Sequence, residues 1–311
     1  MAEFDWIDKY LSPIATSPDA MGLRDDVARL SGGETGATKI VTMDTLVEAI
    51  HFLPDDPLYK VGQKLARVNI SDVICKGALP RQALLSVAMP ASFTEENFES
   101  LCAGLGRDLE VWDIDLLGGD LVTTNGPLVL TLAVTAECLG AGPIKRSGAK
   151  PGDIVYVSGV VGAGKAGLDD ARTRVESSAA RHYRVPSIPG KGIADMVSRF
   201  ANASIDISDG LIAEARHIGK ASKVSLEIDL NTVPWFETVY SLERALELAT
   251  GGDDYQTMMT IPASLEEAFS ESLKRHGLSM SRIGKVVEGQ DVRVFWNGEN
   301  VLLSREAGYQ H

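Results

Sequence analysis

Short apolar runs closed off by turn residues divide the first half of the chain into alternating strands and helices. Residues 39–43 (K-I-V-T-M), 83–89 (A-L-L-S-V-A-M), 114–118 and 127–138 (P-L-V-L-T-L-A-V-T-A-E-C) read as strands, and residues 58–77 and 94–112 carry helical periodicity. A Gly- and Pro-rich stretch, L-G-A-G-P-I-K-R-S-G-A-K-P-G-D at 139–153, reads as a domain junction. Beyond it, D-I-V-Y-V-S-G, V-S-L-E-I-D-L and Y-Q-T-M-M-T-I-P read as strands, and 191–201 and 210–222 as helices. The expectation is a mixed α/β (α+β) protein with domains at 1–140 and 141–311. A chain of 311 residues is in any case long for one core.

Aspartates fall where several of these runs end or helices begin: Asp25-Asp26 in G-L-R-D-D, Asp44 in T-M-D-T, Asp120 in L-L-G-G-D, and Asp206 and Asp209 in S-I-D-I-S-D-G. Asp72, in R-V-N-I-S-D, lies inside a helical pattern. Each stretch joins apolar residues that should be buried to carboxylates that should not. Carboxylates gathered at low dielectric repel one another and take up protons unless cations lie between them. All-oxygen donors of this kind suit Mg²⁺ better than zinc. Two other acidic pairs read as structural: Asp55-Asp56 sits between Pro54 and Pro57 as a turn, and Asp169-Asp170 follows a Gly-rich segment.

Composition narrows the partners. With 43 acidic against 30 basic residues and a net charge of −13, the chain is not expected to bind a nucleic-acid backbone or an anionic membrane, both of which need clustered Lys and Arg. Phosphates remain accessible if metal ions screen them. Cys75, Cys102 and Cys138 are odd in number and set in apolar runs, so they read as buried free thiols in a reducing compartment. With an acidic N-terminus and no long apolar run, the expectation is a cytoplasmic protein.

Gly159 to Ala166, G-V-V-G-A-G-K-A, follows a strand and comes within one residue of the P-loop pattern G-x-x-x-x-G-K-[ST]. Ala166 stands where the Mg²⁺-holding hydroxyl belongs. The glycines therefore read as a tight strand-to-helix turn of the second domain.

The motifs G-L-R-D-D, T-M-D-T-L-V-E-A-I-H-F, R-V-N-I-S-D-V-I-C-K-G-A-L-P, L-L-G-G-D, K-R-S-G-A-K-P-G-D-I-V-Y-V-S-G, S-I-D-I-S-D-G-L, T-G-G-D-D-Y and G-Y-Q-H occur in the order found in thiamine-monophosphate kinases. From about residue 3 to its end the chain resembles that family, within the superfamily of aminoimidazole ribonucleotide synthetase. The resemblance implies two α/β domains, with ATP bound across a homodimer that forms through the first domain's sheet. It also implies ATP-dependent phosphorylation of thiamine monophosphate to thiamine diphosphate. Such a transfer fits a carboxylate cluster without a histidine base, because a phosphate monoester is already an anionic nucleophile and needs charge neutralisation and alignment. Residue by residue, the resemblance assigns Mg²⁺ to Asp26, Thr42, Asp44, Asp72, Asp120, Asp206 and Asp209, with Asp25 beside them. Asp44, Asp120 and Asp209 are then central to catalysis. Gly119, Asp120, Arg146 and Ser208 would contact ATP, and His51, Asp253 and Tyr309 the thiamine acceptor. The chain departs from the family at Arg24 (usually smaller), Leu121 (usually Thr) and Asp253 (usually Glu). A thiamine-phosphate-binding protein without turnover, or another ATP-using enzyme of the superfamily, is the alternative.

Overall fold

The computed structural model describes residues 7–30 and 38–302. Its first half is a five-stranded sheet backed by two helices. In chain order these are β1 (Ala28–Leu30), β2 (Lys39–Val47), α1 (Leu58–Cys75), β3 (Ala78–Pro90), α2 (Glu95–Trp112), β4 (Asp115–Thr124) and β5 (Val129–Cys138). The spatial order is β1-β2-β5-β3-β4, and only the β3–β4 pair is parallel. The even-numbered residues of β5 from Leu130 to Cys138 are buried against the helices and the odd ones are half-exposed on the outer face, as alternation of Cβ directions requires. On that outer face Met43 and Leu84 are left exposed, as are Leu121 and Val122 on the edge strand β4.

The second half comprises β6 (Ile154–Ser158), α3 (Ala163–Arg172), α4 (Ser178–Arg184), α5 (Lys191–Phe200), β7 (Ala203–Asp206), α6 (Leu211–Ser222), β8 (Ser225–Asp229), α7 (Leu242–Ala249), β9 (Thr257–Ile261), α8 (Glu266–His276), β10 (Met280–Val287), β11 (Arg293–Trp296) and β12 (Glu299–Val301). Its seven strands lie in the order β12-β11-β8-β10-β6-β9-β7, with only β11–β8 parallel.

Helix α1 is buried on nearly every side, which a helix permits only when it is enclosed by other elements. Small residues let α2 approach it closely: a Cβ on Gly104 would fall 1.8 Å from the Tyr59 carbonyl oxygen, and one on Gly62 would fall 2.3 Å from that of Leu101. Its remaining faces reach the second half. Arg67 Nη1 donates to the Pro186 carbonyl at 2.9 Å, Lys76 Nζ to the Ser204 carbonyl at 2.7 Å, and Ser71 Oγ to Asp206 Oδ2 at 2.9 Å. One apolar cluster accordingly runs from Leu65, Ile70 and Val73 to Met196, Phe200, Met259 and Phe269.

Two aspartates expected at strand ends lie inside strands. β2 continues through Asp44 to Val47, because Leu46 keeps the inward alternation, and β4 continues through Asp120 to Thr124.

Candidate active site

A cavity of about 690 Å³ opens at the junction of the two halves. Asp26, Thr42, Asp44, His51, Asp72, Arg146, Asp206, Ser208, Asp209 and Asp253 all line it. Strand β2 presents Thr42 and Asp44 toward α1, whose Asp72 accepts a hydrogen bond from Thr42 Oγ1 at 2.5 Å. Asn69, one turn earlier on α1, accepts from the Asp44 amide at 3.1 Å and fixes that strand against the helix. β7 ends at Asp206, and the S-D-G turn then carries Ser208 and Asp209 to the start of α6. Buried Glu214 accepts from Ser208 Oγ at 3.3 Å and from the Asp209 amide at 3.2 Å, which sets that turn.

The electrostatics are those of a site short of positive charge. Burial, then repulsion from Asp26, lifts Asp44 to about 6; burial and the same neighbour lift Asp206 to about 7. Burial and the surrounding carboxylates push Asp72 well above the usual carboxylate range. Asp26 behaves oppositely. Burial opposes its ionisation, but the Lys76 ammonium and the Arg146 guanidinium, both ion-paired to it, hold it at about 2. Lys76 is wholly buried and also pairs with Asp25 at 2.9 Å, so Asp25 is turned away from the cavity. The donors left facing the cavity are carboxylates and a hydroxyl, hard oxygen ligands that match Mg²⁺. Cys75 Sγ lies within 4.8 Å of Asp26 and Asp206 ligand atoms, but burial keeps its thiol protonated, so it does not soften the donor set.

At the other end of the cavity, Asp253 sits in left-handed backbone (φ 69) within G-G-D-D-Y, and Tyr255 is left-handed too (φ 49). Backbone in these regions persists where its surroundings hold it. Lys64 Nζ donates to Asp253 Oδ2 at 2.8 Å and to the His51 carbonyl at 2.9 Å, and Tyr255 donates to Asp253 Oδ1 at 3.0 Å. His51 Nδ1 accepts from the Val47 amide at 3.0 Å, which leaves the ring proton on Nε2. Asp254 is buried and accepts from the amides of Gly162 and Gly164 at 2.8 and 3.0 Å. The P-loop-like turn thus closes on the protein's own carboxylate, and Lys165 pairs with Asp169 on α3 and with Glu247.

Gly119 and Asp120 stand apart from this cavity. Asp44 pairs with Leu132, Leu132 with Leu85, and Leu85 with Gly119, so three strand spacings, roughly 14 Å, separate them. Asp120 pairs with Ser86 and shares its outer face, whereas Asp44 faces α1. Tyr309 lies outside the described residues.

Residues 24–140 match the AIR synthase related protein, N-terminal domain, and residues 150–297 the AIR synthase related protein, C-terminal domain. The thiamine-monophosphate kinase of Caulobacter vibrioides is 37% identical over 99% of this chain and 90% of its own length. The chain belongs to the thiamine-monophosphate kinase family. A second member, from Escherichia coli K12, is 35% identical over 99% of this chain and 98% of its own. A solved structure described as AaThiL complexed with AMPPCP and TMP is 29% identical, covers 100% of this chain and 97% of its own, and superposes with a TM-score of 0.83.

Within this family member, sequence reasoning passed over Lys64, Asn69, Lys76, Glu214 and Tyr255, which hold the expected residues in place. The two lysines stand near other charged residues, Lys60, Arg67 and Asp72, and Lys76 is the residue that caps the end of α1, so nothing local set them apart, although a buried charge needs a buried partner.

Proposed function

We propose that this protein transfers the γ-phosphate of ATP directly to the phosphate of thiamine monophosphate, giving thiamine diphosphate. The observation that carries the reading is the single cavity in which Asp26, Asp44, Asp72, Asp206 and Asp209 face Asp253 and His51. The family membership, and the AMPPCP and TMP held by the structural neighbour, support it. When bound, Mg²⁺ supplies neutralisation of the ATP phosphates and of the charge that develops between them and the acceptor. Asp26, Thr42, Asp44, Asp72, Asp206 and Asp209 are the residues that would hold it.

The protein's own groups divide the remaining work. The acceptor phosphate attacks in its ionised form, so no side chain has to remove a proton. Arg146 offers a planar guanidinium to the nucleotide phosphates beside Ser208. Asp253, held by Lys64 and Tyr255, keeps free lone pairs toward the cavity for the aminopyrimidine or the thiazolium charge, and His51 flanks it. Tyr309 completes the acceptor site in this reading.

The assignment of residues 1–140 as the ATP- and Mg²⁺-binding and dimerisation domain, and of 141–311 as an α/β domain that completes the substrate site, belongs to the same proposal. So does a homodimer. Gly119 and Asp120 reach a transfer site only if they come from a second copy, and the exposed apolar outer face of the first sheet, with Leu121 on its edge, offers the surface for that contact. A cytoplasmic setting accords with buried, unpaired Cys75 and Cys138. Among the described residues no helix is long and apolar enough to cross a membrane.

Incubation with ATP, Mg²⁺ and thiamine monophosphate, read by mass detection, should give thiamine diphosphate. Absence of that product, or equal turnover of free thiamine, would overturn the mechanism.

A further inference from the structure

A second cavity, about 670 Å³, lies behind Arg146, between the segment leading into β1 and helix α6. Its cationic lining is out of keeping with a chain of net charge −13: Arg24, Arg29, Lys145, Arg146, Arg216 and Lys220 face it. Asp25 is the one acidic residue among its described lining. Both its oxygens are engaged, by Lys76 at 2.9 Å and by the Arg146 amide at 3.0 Å. Lys145 and Lys220 make no side-chain hydrogen bond or ion pair among the described residues. Arg29 pairs through Nη2 with Asp19 at 3.3 Å, but its Nε is buried without a hydrogen-bond partner. His217, also in the wall, is depressed to about 4, chiefly by burial and then by the Arg146 charge.

Arg216 pairs with Asp291 at 3.8 Å and Arg146 with Asp26, so the cations facing the cavity without a counter-charge among the described residues are Lys145 and Lys220, and a bound polyanion offsets their repulsion. Pro18, Met21 and Ala221 give the cavity an apolar side, and its volume falls within the range of small-molecule sites. We propose that this cavity is a binding site for a small phosphorylated anion, separate from the phosphoryl-transfer site and joined to it by Arg146, which lines both cavities. An occupant draws on the same guanidinium that holds Asp26, so it is placed to change how the nucleotide phosphates are received.

Inorganic pyrophosphate is a suitable probe. In EDTA the buried carboxylates of the transfer site repel anions, so calorimetric binding of pyrophosphate to the full-length protein reports the basic cavity. Binding is expected in EDTA, weaker as salt rises. It should persist with the transfer site saturated by Mg²⁺ and the non-hydrolysable analogue AMPPCP. Lys145→Gln with Lys220→Gln should weaken it at least about tenfold with an unchanged melting temperature. Three results would each overturn the proposal: no binding in EDTA, an unchanged affinity in the folded double variant, or complete displacement by AMPPCP, which would make the cavity part of the nucleotide's own site.

Discussion

The raised carboxyls make the stability of the metal-free protein fall as pH rises. Asp206 is 3% exposed and titrates near 7 in the folded chain against 3.8 when unfolded. A folded-state value above the unfolded one means that the native state binds the proton more tightly. The resulting stability is complete below pH 3.8 and is lost as pH climbs through 7. Between pH 5 and pH 8 about two pH units of that linkage disappear, which at 1.36 kcal/mol per unit is about 3 kcal/mol from Asp206 alone. Asp44 and Asp72 shift in the same direction and steepen the loss. Urea titrations in EDTA across this range measure it directly. Asp206→Asn should reduce the loss between pH 5 and pH 8 by about 3 kcal/mol, and saturating Mg²⁺ should abolish the loss in the wild type, since a bound cation favours the ionised form. A metal-free protein that gains stability from pH 5 to pH 8, or an Asn variant with the parental slope, would refute the reasoning.

Lys76→Met should destabilise the metal-free protein by about 3–5 kcal/mol, because it strands Asp25 and Asp26 in a buried site, and Mg²⁺ should recover more stability in this variant than in the wild type; unfolding titrations with and without Mg²⁺ decide. Asp44→Asn and Asp120→Asn should each cut turnover by at least about 100-fold while Lys165→Ala, whose partners are Asp169 and Glu247, changes it little; steady-state assays compare them. Asp253→Ala should raise KM for thiamine monophosphate more than for ATP, and Arg146→Ala the reverse. Mixing inactive Asp120→Asn with inactive Asp44→Asn subunits should restore part of the turnover if Asp120 acts across a dimer, because some mixed dimers then contain one site with both aspartates.

Much of the fold was legible because its strands are apolar and its central helices strongly periodic. Residues 58–77 announced α1, and the run ending at Cys138 announced β5. The missed elements lacked such signals. β10 is broken by Arg282, Gly284 and Lys285, while α3, A-G-K-A-G-L-D-D-A-R, with two glycines and little apolar surface, was expected only as the helix after the glycine turn and without bounds. The β11–β12 hairpin did carry one: Asn297 and Gly298, both at positive φ, form the two-residue turn that such a dipeptide favours. In the site, the order of motifs located the carboxylates, but order along a chain says nothing of which sheet face a residue occupies. Asp44 and Asp120 therefore looked equivalent until strand register set them on opposite faces. Lys64 and Lys76 were hidden for a different reason: their partners, Asp253 on one side and Asp25 and Asp26 on the other, are remote in sequence.

Helix α1 leaves little freedom for change in length. Each residue advances the chain 1.5 Å and turns it 100°, and α1 uses those increments to aim Gly62 at α2, Lys64 at Asp253, Arg67 at Asp108, Asn69 at β2 and Ser71 at Asp206, and to deliver Lys76, the residue just past its end, to the Asp25-Asp26 pair. A single inserted residue near Gln63 would swing every later side chain by more than a quarter turn, so the acceptor clamp, the carboxylate cluster and the contact between halves would fail together. Natural length variation among relatives should accordingly collect in the connecting loops and spare these eighteen positions.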